Sequence, residues 1–71
     1  MIYPRIRNLR EDSDFTQQQM ADKLFINRRT YSSYENGLRG IPIETLSKIA
    51  DIFNTSVDYL IGRTDFRKPY P

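Results

Sequence analysis

Apolar positions recur along this chain at helical spacing, in short runs separated by polar clusters, and that rhythm predicts a series of short helices. Ile6 and Leu9 share one face of a first helix from Arg5 to about Glu11, and the polar cluster Glu11, Asp12, Ser13, Asp14 ends it. Met20, Ala21 and Leu24 give a second helix its buried face. Leu46, Ile49, Ala50 and Phe53 repeat the pattern in a fourth, with Pro42 in its first turn, where the missing N–H is no loss. Asn54 or Thr55 closes that helix, Thr55 or Ser56 caps a short fifth one over residues 57–61, and Gly62 is placed to terminate it. Residues 1–62 therefore read as one all-α domain. Residues 63–71 form a C-terminal tail with charge, two prolines and isolated aromatics, expected to be poorly ordered unless Phe66 or Tyr70 docks.

Capping chemistry places the second and third helices within residues 15–37. The backbone N–H groups at a helix start need acceptors, and Thr16 and Asn27 supply them. With Thr16 as cap, Gln19 falls where its side chain reaches back to the Thr16 backbone, while Phe15 and Met20 are spaced as a hydrophobic staple. Ile26 and Tyr31 repeat that staple around Asn27. Asn36-Gly37 then supplies residues that tolerate a left-handed conformation. Two caps only eleven residues apart force two short helices joined by a tight turn.

Immediately after the second cap, Arg28 and Arg29 put two cations at the positive end of a helix dipole, where acidic residues would be preferred by ~0.3–1 kcal/mol each. Two exposed arginines can be merely solvated. In a helix-turn-helix, however, the first turn of the second helix of the pair points into the major groove of DNA. Arginine is the side chain whose planar fork holds both acceptors of a guanine edge or grips a phosphate. The local violation thus has a functional reading, sequence-specific DNA contact.

Composition narrows the field. The formal net charge of +2 is only mildly basic, so distribution matters more than total. Residues 15–41 carry Lys23, Arg28, Arg29 and Arg39 against Asp22 and Glu35, whereas residues 42–61 carry Lys48 against Glu44, Asp51 and Asp58. There is no Cys and no His, which removes disulfides, thiolate chemistry and the usual zinc ligands. No nucleophile stands at a motif spacing from a base, and no glycine-rich phosphate loop is present, so no catalytic residue, metal or cofactor is expected. No run approaches the ~18 apolar residues of a membrane span, and a soluble cytoplasmic protein is the expectation.

Leu9-Arg10, Thr16-Gln17, Met20-Ala21, the stretch 31–37 ending Tyr34-Glu35-Asn36-Gly37, then Pro42, Leu46, Ile49-Ala50 and the run 56–60 together resemble the Cro/repressor-type, or XRE-like, helix-turn-helix family. The resemblance covers nearly everything from Arg5 to Leu60 and implies a compact five-helix lambda-repressor-like domain that binds double-stranded DNA. It implies base reading by Arg28, Arg29 and Ser33, with Thr30 and Ser32 nearer the DNA backbone. Gln17 would donate to phosphate and brace the reading helix. Asn36 and Arg39 would grip the sugar-phosphate backbone, which sets register without reading sequence. Arg10 and Glu35 match a pair that forms a structural ion pair between the first and third helices.

Two positions depart from the family pattern. Phe25 stands where Gly or Asn is usual at a positive φ, which costs ~1–2 kcal/mol, so either the turn is distorted or Phe25 gains burial or a contact that offsets the strain. Tyr31 replaces a smaller aliphatic residue, and Tyr31 with Tyr34 are expected as core residues with wet hydroxyls. By resemblance the protein is a homodimer through Asn54, Val57, Tyr59 and Ile61, on palindromic half-sites ~34 Å apart, formed appreciably only on DNA. Val57, Leu60 and Ile61 can instead simply close the monomer core. The expected role is a transcriptional repressor, and from the length no ligand-sensing domain is expected. The alternative is a protein-interaction module on the same fold, an antitoxin or adaptor holding an unidentified protein partner. Geometry separates the two: a solvent-facing set of Arg28, Arg29 and Ser33 favours DNA, while an apolar patch around Val57, Tyr59 and Phe66 favours a partner.

Overall fold

A computed structural model describes residues 3–68. Five helices follow in order: α1 (Pro4–Asp12), α2 (Gln17–Lys23), α3 (Arg28–Glu35), α4 (Ile43–Ile52) and α5 (Val57–Leu60). No strand occurs among the described residues. Pro4 opens α1 at a position that needs no N–H, so this helix begins one residue before the expected Arg5 and runs one residue past Glu11.

Side-chain caps start three of the other helices. Thr16 Oγ1 accepts the Gln19 N–H at 3.0 Å while the Thr16 N–H donates to Gln19 Oε1 at 2.8 Å, a complete capping box. Asn27 Oδ1 accepts the Thr30 N–H at 2.7 Å. Ser56 Oγ, and not Thr55, accepts the Tyr59 N–H at 3.0 Å; Thr55 is buried and its hydroxyl donates to the Arg67 carbonyl. Pro42 stands just outside α4, a correction to its expected place in the first turn. Its φ of −59° suits a helix, but its ψ of 149° is extended, and it contributes only its carbonyl, which accepts the Leu46 N–H at 3.0 Å.

Every one of these five helices ends in the same device, a left-handed residue stabilised by a pair of reversed hydrogen bonds. The left-handed residues are Asp14, Phe25, Gly37, Asn54 and Gly62, with φ between 51° and 84°. Behind each, the following N–H returns to a carbonyl in the last turn: Phe15 to Arg10, Ile26 to Ala21, Leu38 to Ser33, Thr55 to Ala50 and Arg63 to Asp58, at 2.8–3.1 Å. Repeating this cap lets a short chain end each helix abruptly, without long loops. Ile6, Leu9, Met20, Ala21, Leu24, Tyr31, Leu46, Ile49, Ala50 and Leu60 then meet in one core, which Phe15, Ile26 and Phe53 flank.

Phe25 resolves one of the alternatives raised by its sequence. The turn keeps its hydrogen bonds at φ 57°, so it is not distorted, and the ring is 89% exposed, so no burial offsets the strain. Phe25→Gly is therefore expected to raise stability by about 1 kcal/mol, the relief of left-handed strain less the chain entropy that glycine adds to the unfolded state. A urea midpoint that stays unchanged or falls would contradict this.

The segment after α5 is tied back to the start of the chain. The Arg5 guanidinium lies 4.2 Å from the centroid of the Tyr59 ring, donates to the carbonyls of Tyr59 and Thr64, and pairs with Asp65 Oδ1 at 2.6 Å. Phe66 is half exposed, and Tyr70 lies outside the described residues.

Candidate nucleic-acid interface

The α2–α3 pair carries the site. Its capped starts fix where α3 begins, and Tyr31 and Tyr34 bury one face of that helix, which leaves the opposite face to solvent. Arg28 and Arg29 are exposed on the first turn and form no ion pair among the described residues. Together with Ser32, Ser33, Asn36 and Leu38 they line a shallow open groove. Ser33 is half-buried, and its hydroxyl donates to the Arg29 carbonyl at 3.0 Å. Asn36 caps the end of α3 and donates through Nδ2 to Ser32 Oγ at 3.3 Å. Thr30 is half-buried beside the Asn27 cap, and Arg39 is exposed just beyond the helix.

Behind this face lies an ion pair that fixes α3 against α1. Arg10 Nε donates to Glu35 Oε2 at 2.6 Å, Arg10 Nη2 donates to Oε1 at 3.2 Å, and Nη1 donates to the Phe15 carbonyl at 2.8 Å. The fork-to-fork geometry is the strong form of such a contact. The two side chains are 12% and 3% exposed, which removes most solvent screening. Gln17, the first residue of α2, adds its amide at 3.4 Å from Glu35 Oε1, so one carboxylate joins α1, α2 and α3. Burial alone would raise the Glu35 pKa. Hydrogen bonding from Arg10, the facing Tyr31 hydroxyl, the Arg10 charge and the Gln17 amide together outweigh it, and the carboxyl is held below its ordinary value of 4.5. The same bond raises Arg10 further, against its own burial.

Tyr31 corrects one expectation. Its hydroxyl is buried, not wet, and has no partner at full hydrogen-bond geometry. Burial first and the neighbouring Glu35 carboxylate second push the phenol far above its ordinary range, so it stays neutral and contributes shape and a local dipole beside Glu35. The spacing of Tyr31 and Glu35, four apart on α3, places them side by side, but the burial of the hydroxyl comes only with the packing of α3 on the other helices.

The proposed dimer residues sit apart from the reading face. Asn54 is exposed at its left-handed turn. Val57, Tyr59 and Ile61 are half-buried against the core. The Arg5 clasp over Tyr59 was not legible in the sequence, since its partners are 54 to 60 residues away. Among the described residues no group of acidic side chains could hold a metal ion, and no helix is long and apolar enough to cross a membrane.

Five short helices, with a capped pair in their midst and unpaired cations on the outer face of its second member, define a helix-turn-helix protein. The sequence profile of the helix-turn-helix family matches residues 6–60, and this chain belongs to that family, in its Cro/repressor (XRE) branch. Across 71 residues, all of this chain, it is 37% identical to the HTH-type transcriptional regulator AnsR of Bacillus subtilis, and it covers 61% of that protein. It is 44% identical over 63 residues to the cryptic phage CTXphi transcriptional repressor RstR of Vibrio cholerae, covering 87% of this chain and 55% of that one. Among solved structures it is similar to SinR, a master regulator for biofilm formation, in complex with DNA. There the TM-score is 0.72 with 30% identity, over 84% of this chain and 97% of that chain. The chain thus spans little more than half the length of the full-length relatives it matches.

Proposed function

We propose that this chain is the DNA-reading unit of a transcriptional repressor, which lays α3 in the major groove of double-stranded DNA and excludes other proteins from the site. The observation that carries the reading is the pair of unpaired, exposed arginines on the first turn of α3, held on a helix whose orientation the Arg10–Glu35 pair fixes. Arg28 and Arg29 act as the base readers, each able to hold guanine O6 and N7. Ser33 reads at the far end of the groove after releasing its bond to the Arg29 carbonyl. Gln17, Thr30, Ser32, Asn36 and Arg39 take phosphate and sugar contacts, which set register. SinR in its complex with DNA supports this mode, and RstR, a transcriptional repressor, supports the sign of regulation. The competing role as a protein-binding antitoxin or adaptor needs an open apolar patch around Val57, Tyr59 and Phe66. Val57 and Tyr59 are half-buried against the core, with Arg5 over the Tyr59 ring, which leaves too little for a partner held by that patch alone, whereas a twofold contact between two copies is also held by the duplex they share.

Symmetry extends the proposal. Two copies related by a twofold axis, meeting through Asn54, Val57, Tyr59 and Ile61, would present two α3 helices to successive turns of DNA. The place of action proposed with this role is the cytoplasm, where the DNA of a bacterial cell lies. Selection from random duplexes by the purified protein near physiological salt is expected to enrich a palindrome whose half-site centres are ~34 Å apart. No enrichment, or binding that falls equally on all duplexes as salt rises, would overturn the repressor reading.

A further inference from the structure

We infer that Leu38 is a specificity-determining residue that packs on the C5-methyl group of one thymine in each half-site. The inference rests on the DNA-reading role proposed above and adds an apolar reader to its two arginines. Leu38 occupies the second residue of the left-handed cap that ends α3, and its N–H is fixed on the Ser33 carbonyl at 3.0 Å. In such caps the side chain at this position usually packs back on the last turn of its own helix. Phe15 and Ile26, the equivalent residues after α1 and α2, do pack against the core, and Thr55 after α4 is buried. Leu38 is 81% exposed. The residues one turn behind it explain the difference. Leu9, Met20 and Ile49 stand there in α1, α2 and α4, whereas α3 has Ser32 and then Ser33, which offer no apolar surface.

An apolar side chain on a hydrogen-bonded backbone therefore stands exposed at the edge of the groove lined by Arg28, Arg29, Ser32, Ser33 and Asn36. The unpaired cations of that groove select a polyanion. Within the major groove, the apolar group that base edges present is the thymine methyl, and only the A·T pair carries it. Phe25, Ile43 and Phe66 are also exposed but do not line this groove.

The test replaces each thymine of a duplex selected by the wild-type protein with deoxyuridine, which keeps every hydrogen-bonding group and lacks only the methyl. At one thymine per half-site, uracil is expected to weaken wild-type binding about fourfold, the effect of one unburied methyl group. Leu38→Ala is expected to bind the thymine duplex about fourfold more weakly and to be indifferent to uracil at that position. Helical circular dichroism checks that the variant folds, as it should with an exposed side chain. A selected duplex at which no thymine separates wild type from Leu38→Ala would overturn this proposal alone. A wild-type protein that selects no duplex would overturn the DNA-reading role, and this proposal with it.

Discussion

Replacing Glu35 by alanine is expected to destabilise this domain by about 3–5 kcal/mol. The loss is large because Arg10 would stay in place with its charge mostly buried, while the Gln17 amide would lose its acceptor and the Tyr31 hydroxyl its facing carboxylate. For 71 residues a total stability of roughly 4–11 kcal/mol is usual, so the loss is a large fraction of the whole. Urea denaturation followed by circular dichroism measures the change. Removing both charges, Arg10→Met with Glu35→Leu, is expected to recover most of it, because the unpaired charge and not the missing bond dominates the cost. A loss under about 1 kcal/mol for Glu35→Ala would mean the pair behaves as an exposed one. Acid gives an independent reading. Glu35 titrates below its ordinary value of 4.5 in the folded state, so its contribution is complete above that value and is lost as pH falls through the folded-state value. The alanine variant lacks that component, and its stability should fall less steeply than wild type on the acid side.

Arg28→Ala and Arg29→Ala are expected to leave stability nearly unchanged, since both side chains are exposed and form no ion pair among the described residues. Each should weaken binding to the selected duplex by about 1–3 kcal/mol if its fork holds a guanine edge. Arg39→Ala serves as the contrast. A backbone contact loses affinity almost equally on all sequences and lowers the salt dependence by about one counterion, with no change in preference. Fluorescence anisotropy on selected and scrambled duplexes, at two salt concentrations, separates the two kinds of loss. An arginine variant that weakens both duplexes equally is a phosphate contact.

What could be read from the sequence is what short-range chemistry decides. Thr16 with Gln19, Asn27 with Thr30, and Ser56 with Tyr59 are bonds between residues three apart, and the helix starts follow from them. The buried faces of α1, α2 and α4 follow from spacing alone. Contacts made only after folding were legible less evenly. Arg10 meets Glu35 across 25 residues, and only likeness to a family pointed to it. The Arg5 clasp on Tyr59, Thr64 and Asp65 had no local signal. Tyr31 and Glu35 are four apart on α3, but the burial of the Tyr31 hydroxyl depends on how that helix packs on the others. Leu38 was silent because its significance lies in what is missing behind it, two serines where the other caps have apolar partners. Phe25 was flagged by the family pattern, and the structure adds that it bears left-handed strain with its ring in solvent.

If α3 reads bases through Arg28 and Arg29, each arginine must govern its own position in the half-site. Duplex selection carried out in parallel with wild type, Arg28→Ala and Arg29→Ala tests it most directly. The wild type is expected to select a palindrome, and each variant to show relaxed preference at a different G·C position within the half-site, the remaining positions being kept. Identical selected sequences from all three proteins would contradict it, because the arginines would then serve the phosphates and the sequence would be read elsewhere.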